Sequence, residues 1–235
     1  MTETIFLTDC YLKELDANVV FADGNKIELD KSIFCYHGGG QLADNGEITA
    51  NGETYKVSDV RKEDGRIINY VDREGLKQGD SVHLSLDWDR RYILMKYHTA
   101  FHVLTAVIHG QTGALITGGS IFLDKARAYF SLEQFNKEQM EQFVRQANDA
   151  IATNQPVKMY FMNRGEALKI PGMVKLATAA PPNVENLRIV EIGNIDTQAD
   201  GGTHVANTSE IGKIELIKTE NKGKERRRVY FSLSS

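Results

Sequence analysis

The chain has 235 residues, 41% hydrophobic and 26% charged, with 28 Lys and Arg against 32 Asp and Glu. That composition is enough for one long domain or two ordinary ones, and it excludes a low-complexity chain. No apolar run is long enough to cross a bilayer, and the first residues lack the basic start and apolar stretch of a signal peptide. The only cysteines, Cys10 and Cys35, suit a reducing cytoplasm better than a disulfide framework. A net charge of −4 does not by itself favour a polyanionic partner. Its distribution is uneven, however: Lys218, Lys222, Lys224, Arg226, Arg227 and Arg228 cluster against only Glu220 and Glu225. Such a cluster suits a solvated hairpin as well as contact with phosphates.

Up to about Ser85 the chain reads as short strands separated by turns. Asp23-Gly24, Asn45-Gly46, Asn51-Gly52 and Asp64-Gly65 are dipeptides that adopt positive φ cheaply and so predict tight hairpins. Between them, Asn18–Phe21, Ile33–Tyr36, Thr54–Val57 and Ile67–Val71 have strand-forming composition, and strands at this spacing predict a small barrel or sandwich.

The pattern changes near Trp88. From Asp89 to His109, Leu94, Tyr97, Phe101, Leu104 and Ile108 recur at spacings of three and four, one face of a helix. A second helix is predicted from Lys137 to about Ala152, with Met140, Phe143, Val144, Ala147 and Ile151 inward. Asn136 is its cap, and Gln139 stands at the third position of a capping box. Strands return at Arg188–Ile192, Lys213–Lys218 and Arg228–Leu233. The boundary between modules is expected near residue 86.

Two pairs of residues carry chemistry. His98 and His102 lie four apart on the first helix, so both imidazoles leave the same side and can meet one metal ion. Thr99 follows His98, which excludes the metalloprotease arrangement with a glutamate base there. In Asp200-Gly201-Gly202-Thr203-His204, a carboxylate and an imidazole flank two glycines that permit a sharp path. The same tripeptide also serves as an ordinary turn. Together the pairs offer three nitrogens and one oxygen, a tetrahedral set for zinc. His37, His83 and His109 are left as surface or structural residues.

Longer runs around these pairs resemble a known family. Leu86-Asp87-Trp88-Asp89-Arg90-Arg91, Met95 and His98-Thr99-Ala100-Phe101-His102 look like the start of the alanyl-tRNA synthetase editing domain. Asp196-Thr197-Gln198-Ala199-Asp200-Gly201-Gly202-Thr203-His204-Val205, followed by Asn207 to Gly212, resembles its second metal motif. Arg227-Arg228-Val229-Tyr230-Phe231 fits its last strand, and Gly38-Gly39-Gly40-Gln41-Leu42-Ala43-Asp44-Asn45-Gly46 resembles the glycine-rich motif preceding it. The resemblance covers nearly the whole chain in order, as in the medium-length, free-standing AlaX family. Two positions depart from the family pattern: Asp200 stands where a cysteine is usual, and Tyr129 stands where an acidic residue commonly precedes Phe130.

The resemblance implies an α+β fold. A small N-terminal β-barrel module with the glycine-rich motif, residues 1–86, precedes an α/β two-layer editing domain with a zinc site, residues 87–235. It implies a cytoplasmic trans-editing hydrolase that deacylates alanine tRNA carrying serine or glycine. His98, His102, Asp200 and His204 would hold Zn2+, and a water on the metal, rather than an identified side chain, would be the catalytic group. Thr117 and Ser120 would line the amino-acid pocket, and Gln198 would contact the ester or adenosine. Gly39, Gly40 and Gln41 would narrow the cleft, and Arg226, Arg227 and Arg228 would meet tRNA. The alternative is a non-catalytic, zinc-stabilised tRNA-binding module.

Overall fold

The computed structural model describes residues 2–132, 136–177, 183–221, 223 and 226–234; Lys222, Lys224 and Glu225 of the basic cluster lie outside them. The elements in chain order are β1 (Glu3–Thr4), β2 (Glu14–Asp23), β3 (Lys26–Leu29), β4 (Lys31–Ser32), β5 (Gly46–Ala50), β6 (Glu53–Glu63), β7 (Arg66–Val71), β8 (Ser81–Leu86) and α1 (Trp88–Thr112). They continue with β9 (Ile116–Ile121), β10 (Ala126–Phe130), α2 (Lys137–Ile151), β11 (Val157–Asn163), α3 (Arg164–Ala167), β12 (Asn186–Ile192), β13 (Asp196–Ala199), β14 (Lys213–Asn221) and β15 (Arg227–Ser234). The fold is mostly strand with few helices, an α+β arrangement, and it divides into two units, Met1–Leu94 and Met95–Ser235. No helix among the described residues is long and apolar enough to cross a membrane.

In the first unit β2, β3, β7, β6, β5 and β8 close into an antiparallel barrel. Alternate residues point inward, as the two-residue strand period requires, and Val19, Ile27, Ile48, Val57, Val60 and Leu84 meet in one core. Asn51-Gly52 and Asp64-Gly65 have positive φ at both residues and join their strands by two-residue turns, as expected for twisted hairpins. Asn45-Gly46 is no such turn. Gly46 begins β5, and a Cβ there would lie 2.3 Å from the Ser85 carbonyl and 2.5 Å from the Phe34 ring; glycine is needed for close approach.

The expected strand at Ile33–Tyr36 is not one. The segment is buried but belongs to no sheet, because side chains take over the bonds a ladder would make. The fully buried Arg91 donates to the Ile33 carbonyl (2.6 Å) and the Cys10 carbonyl (2.9 Å). Its partner Asp44, equally buried, accepts from Arg91 Nε (3.0 Å) and from the Cys35 amide (2.6 Å). Burial works against the charge on Arg91, but Asp44 outweighs it and holds the guanidinium above its usual pKa.

In the second unit, α1 is buried nearly all round: Met95, Thr99, Ala100 and Val103 are as enclosed as the expected stripe. β9, β10, β15 and β14 form an antiparallel sheet in the order β14-β15-β10-β9. One face turns Ala126, Ala128, Phe130, Val229 and Phe231 inward, where Phe231 meets the rings of Tyr97 and Phe101 on α1. The buried residues of α2 are the five expected, and the Asn136 side chain accepts from the Gln139 amide. A second sheet, β11-β12-β13, carries α3.

Because the Arg91–Asp44 pair replaces a strand ladder, Asp44→Ala should cost about 3–5 kcal/mol, the range for leaving one buried charge unpaired. Arg91→Met with Asp44→Ala should cost less than the sum of the two single changes. Equilibrium denaturant unfolding of the three variants measures both effects.

Candidate metal centre

Two elements deliver the polar residues of the centre. One turn of α1 separates His98 and His102. On β13 the two-residue period sets Asp196 and Gln198 on one face, and Asp200, just past the strand, continues that face. The register Ile189↔Ala199 and Ile192↔Asp196 fixes the strand against β12, and the Arg188 and Asp200 backbones bond next to it (3.1 Å). The sharp path to His204 does not use glycine φ: neither Gly201 nor Gly202 has positive φ. Asp200 closes the turn itself, its Oδ1 accepting from the Gly202 amide at 2.6 Å.

The four donors converge, with one ligand atom of each of His98, His102, Asp200 and His204 within 4.8 Å of all the others. The Asp200 carboxylate lies 3.6 Å from His98 Nε2, 3.7 Å from His102 Nε2 and 3.1 Å from His204 Nε2. Donors at about 2.0–2.2 Å from one tetrahedral ion stand roughly 3.3–3.6 Å apart. The spacing and the donor chemistry therefore fit a metal ion, and the group could hold one.

A buried layer sets the rings. Asp196 Oδ2 accepts from His102 Nδ1 (2.9 Å) and from the Gln198 amide (2.7 Å), while its other oxygen pairs with Lys175. A carboxylate only accepts, so His102 carries its proton on Nδ1 and turns Nε2 to the centre. Thr99 plays the matching part for His204. Its hydroxyl donates to the Met95 carbonyl (3.0 Å) and so accepts from His204 Nδ1 (3.2 Å) and the Val205 amide (3.3 Å). Arg188 Nη1 donates to the Asp200 carbonyl at 2.9 Å.

These surroundings split the three imidazoles. Burial pushes His98 well below its ordinary pKa and His204 down to about 4, so both favour the neutral, ligating form. Burial acts the same way on His102, but hydrogen bonds to Asp196 and then Asp200 outweigh it and lift that ring to about 9, so a metal bound at Nε2 must displace the proton there. Asp200, although burial opposes its charge, is held well below the usual carboxylate range by His98, His102 and His204.

The remaining site expectations fall at different places. Thr117 and Ser120 lie on strand β9, not in a turn. Thr117 Oγ1 is buried without a partner among the described residues, whereas Ser120 Oγ accepts from Arg127 at 2.9 Å. Between them, Gly119 leaves room for Phe101: a Cβ would come within 2.7 Å of that ring. Gln198 sits on the Nδ1 side of His102, away from the point of convergence. Gly39 and Gly40, both with positive φ, form a two-residue turn closed by Gly38 and Gln41 in the barrel unit, and Gln41 is buried there. Arg226 is exposed and Arg228 half-buried. Arg227 is nine-tenths buried and donates to Asn221 (2.7 Å) and the Gly223 carbonyl (2.6 Å). His83 bonds Asp16, and His109 bonds the Ala114 carbonyl, both outside the centre. Sequence reasoning missed the supporting layer. Only the alternation of polar residues 196, 198 and 200 ahead of His204 could have pointed to it; nothing marks Lys175 or Arg188.

Asp196→Asn should weaken metal binding about 10–100-fold, the usual effect of losing such support, and lower stability as well, because it leaves the buried Lys175 without its counter-charge. Asp200→Ala should lower affinity further, and Asp200→Cys should retain it because thiolate is also an anionic ligand. Competition between the protein and a chromophoric chelator for Zn2+ or Co2+ gives the affinities. X-ray absorption of the loaded wild type should show a shell of nitrogen and oxygen only; sulfur would remove Asp200 from the ligand set.

Comparison with known proteins identifies what the chain is similar to. Residues 187–230 match the threonyl and alanyl tRNA synthetase second additional domain, and residues 3–90 match the class II (A) tRNA synthetases. The chain is 45% identical to the alanyl-tRNA editing protein AlaX-M of Saccharolobus solfataricus, over 99% of each. It is 42% identical to the AlaX-M of Methanosarcina barkeri, again over 99% of each. Similarity to the alanine–tRNA ligase of Methanococcus maripaludis, 35%, covers 93% of this chain but 24% of the ligase. The chain belongs to the AlaX-M family of alanyl-tRNA editing proteins.

Proposed function

We propose that the chain is a trans-editing hydrolase that cleaves the ester joining serine or glycine to alanine tRNA, and that it works in the cytoplasm. The observation that carries this reading is the complete, convergent set of His98, His102, Asp200 and His204 in a chain so similar to named editing proteins. The chemical need is plain: a synthetase pocket built for alanine excludes glycine weakly, and it rejects one added hydroxyl weakly as well. A second site must then hydrolyse the wrong ester.

Zinc is the metal we assign, and when bound it would supply a Lewis acid for the ester. The chain's own residues do the rest. Of the four ligands only Asp200 is appreciably open to solvent, its side chain 21% exposed against 7% or less for the imidazoles. Substrate therefore reaches the centre from the Asp200 side. Asp196 and Thr99 hold the His102 and His204 rings so that binding an ester requires no reorientation of the donors.

Selectivity for serine needs a polar group aimed at the substrate hydroxyl and left unpaired by alanine. Thr117 Oγ1, buried and without a partner among the described residues, is the group we assign; the Ser120 hydroxyl is already engaged by Arg127. Gln198 supports His102 through Asp196. Cys10 and Cys35 are both buried thiols, consistent with a reducing compartment.

Metal-loaded protein should release serine from Ser-charged alanine tRNA, spare Ala-charged tRNA, and lose activity on chelation. No hydrolysis above buffer would leave the non-catalytic binding module as the better reading. Thr117→Val should slow serine release by roughly one to two decades, the worth of about 1–3 kcal/mol, and glycine release less. Equal effects on both esters would make Thr117 a structural residue.

A further inference from the structure

The outward face of the sheet β14-β15-β10-β9 has a composition unlike its inner face. Arg127 and Tyr129 alternate on β10, Arg228 and Tyr230 on β15, and the register pairs Arg127 with Tyr230 and Tyr129 with Arg228. Cation and ring thus alternate in both directions. Three guanidinium groups surround the Tyr129 ring: Arg228 at 4.6 Å, and Arg127 and Arg226 each at 5.4 Å from its centroid. Lys218 stands 4.7 Å over Tyr230. Against these four cations stands the carboxylate of Glu220, shared by Arg228 (3.0 Å) and Lys218 (2.6 Å).

Two features make a purely structural role insufficient. Among the described residues the four cations of this face share one carboxylate, that of Glu220, which lies opposite Arg228. In addition, Nε of both Arg127 and Arg228 is buried with no acceptor among the described residues, although buried donors are nearly always satisfied. An occupant that brings negative charge, several acceptor oxygens and flat rings matches the cations and rings that this face leaves open. A phosphodiester chain does so, with phosphates on the arginines and bases against the tyrosines; a small anion would leave the rings unused.

We propose that this chequered face of Arg127, Tyr129, Arg226, Arg228, Tyr230 and Lys218 is an RNA-docking surface of the editing protein. The proposal rests on the reading that tRNA is the partner, but not on hydrolysis. Within it Arg226 and Arg228 meet RNA, while Arg227, turned to the inner face, fastens the β14–β15 hairpin.

The test is binding of uncharged alanine tRNA to the full chain, by fluorescence anisotropy across a series of salt concentrations. Every phosphate that a variant no longer neutralises should lower the salt slope by about 0.7–0.9. Arg127→Gln with Arg228→Gln should therefore lower it by roughly 1.5, and Arg226→Gln alone by about half that. Tyr129→Ala should weaken binding about tenfold at unchanged slope, and Tyr129→Phe should restore it. The Arg226 side chain is exposed and rests on the Tyr129 ring, so its variant stays informative if the double variant unfolds. Slopes equal to wild type in Arg226→Gln and in any folded double variant would overturn the proposal. So would displacement of the tRNA by polyglutamate at equal charge concentration, since the face would then select only for charge. Failure to hydrolyse charged tRNA while the slopes change as expected would reject the proposed activity and keep the surface; the reverse pattern would reject the surface alone.

Discussion

The centre depends on one buried carboxylate that is not among the four candidate ligands. Asp196 is almost completely enclosed, and an isolated charge there would cost several kcal/mol. It is tolerated because Lys175, His102 and Gln198 all point at it. The arrangement works in both directions. The carboxylate fixes the His102 tautomer, and His102 and Lys175 hold Asp196 below the usual carboxylate range even though burial works against its charge. Removing any one partner leaves the others imperfectly compensated, so position and protonation of the ring are coupled to residues on three separate segments.

The barrel unit uses the same physics for a different end. Arg91 and Asp44 are buried together, and their spare hydrogen-bonding capacity goes to backbone at Cys10, Ile33 and Cys35. The guanidinium offers donors in a fixed fork and the carboxylate accepts along several directions. Together they hold an irregular buried segment that would otherwise carry unsatisfied amides and carbonyls. The glycine-rich loop beside it, which the family resemblance links to substrate, supplies Asp44 and Gln41 to this interior.

How much of this was legible follows from the range of the interactions concerned. Local signals came through: the two-residue hairpins at Asn51-Gly52 and Asp64-Gly65, and the α2 stripe with its Asn136 cap, depend on neighbours in sequence. His98 and His102 were visible because helix periodicity is also local. What failed depended on distant partners. Ile33–Tyr36 has strand composition, but Arg91, 58 residues from Ile33, takes its backbone bonds. Gly46 looked like a turn residue but is required by Ser85 and Phe34. Three adjacent arginines read as one charged block, yet strand alternation sends Arg227 inward and Arg228 outward, a distinction that exists only once the residues belong to β15. Lys175 and Arg188 carry no sequence mark, because a lysine or arginine is ordinarily a surface residue.

Asp200 shows that a candidate ligand can carry a structural task beside its donor chemistry. Where the family commonly has a thiolate, this chain has two oxygens, and they do different work. Oδ2 faces His98 and His102 at 3.6 and 3.7 Å, while Oδ1 accepts the Gly202 amide at 2.6 Å and stands 3.1 Å from His204. The carboxylate thus closes the turn that brings His204 round and also offers an oxygen to the centre. A sulfur is a weak hydrogen-bond acceptor and holds zinc at about 2.3 Å rather than 2.0–2.2 Å. It could replace the donor but would do less for the turn, which would then lean on Thr99 and Val205. In this chain the Asp200–His204 segment is therefore locally self-supporting, the residue that could offer an oxygen to a metal also being the one that closes the turn.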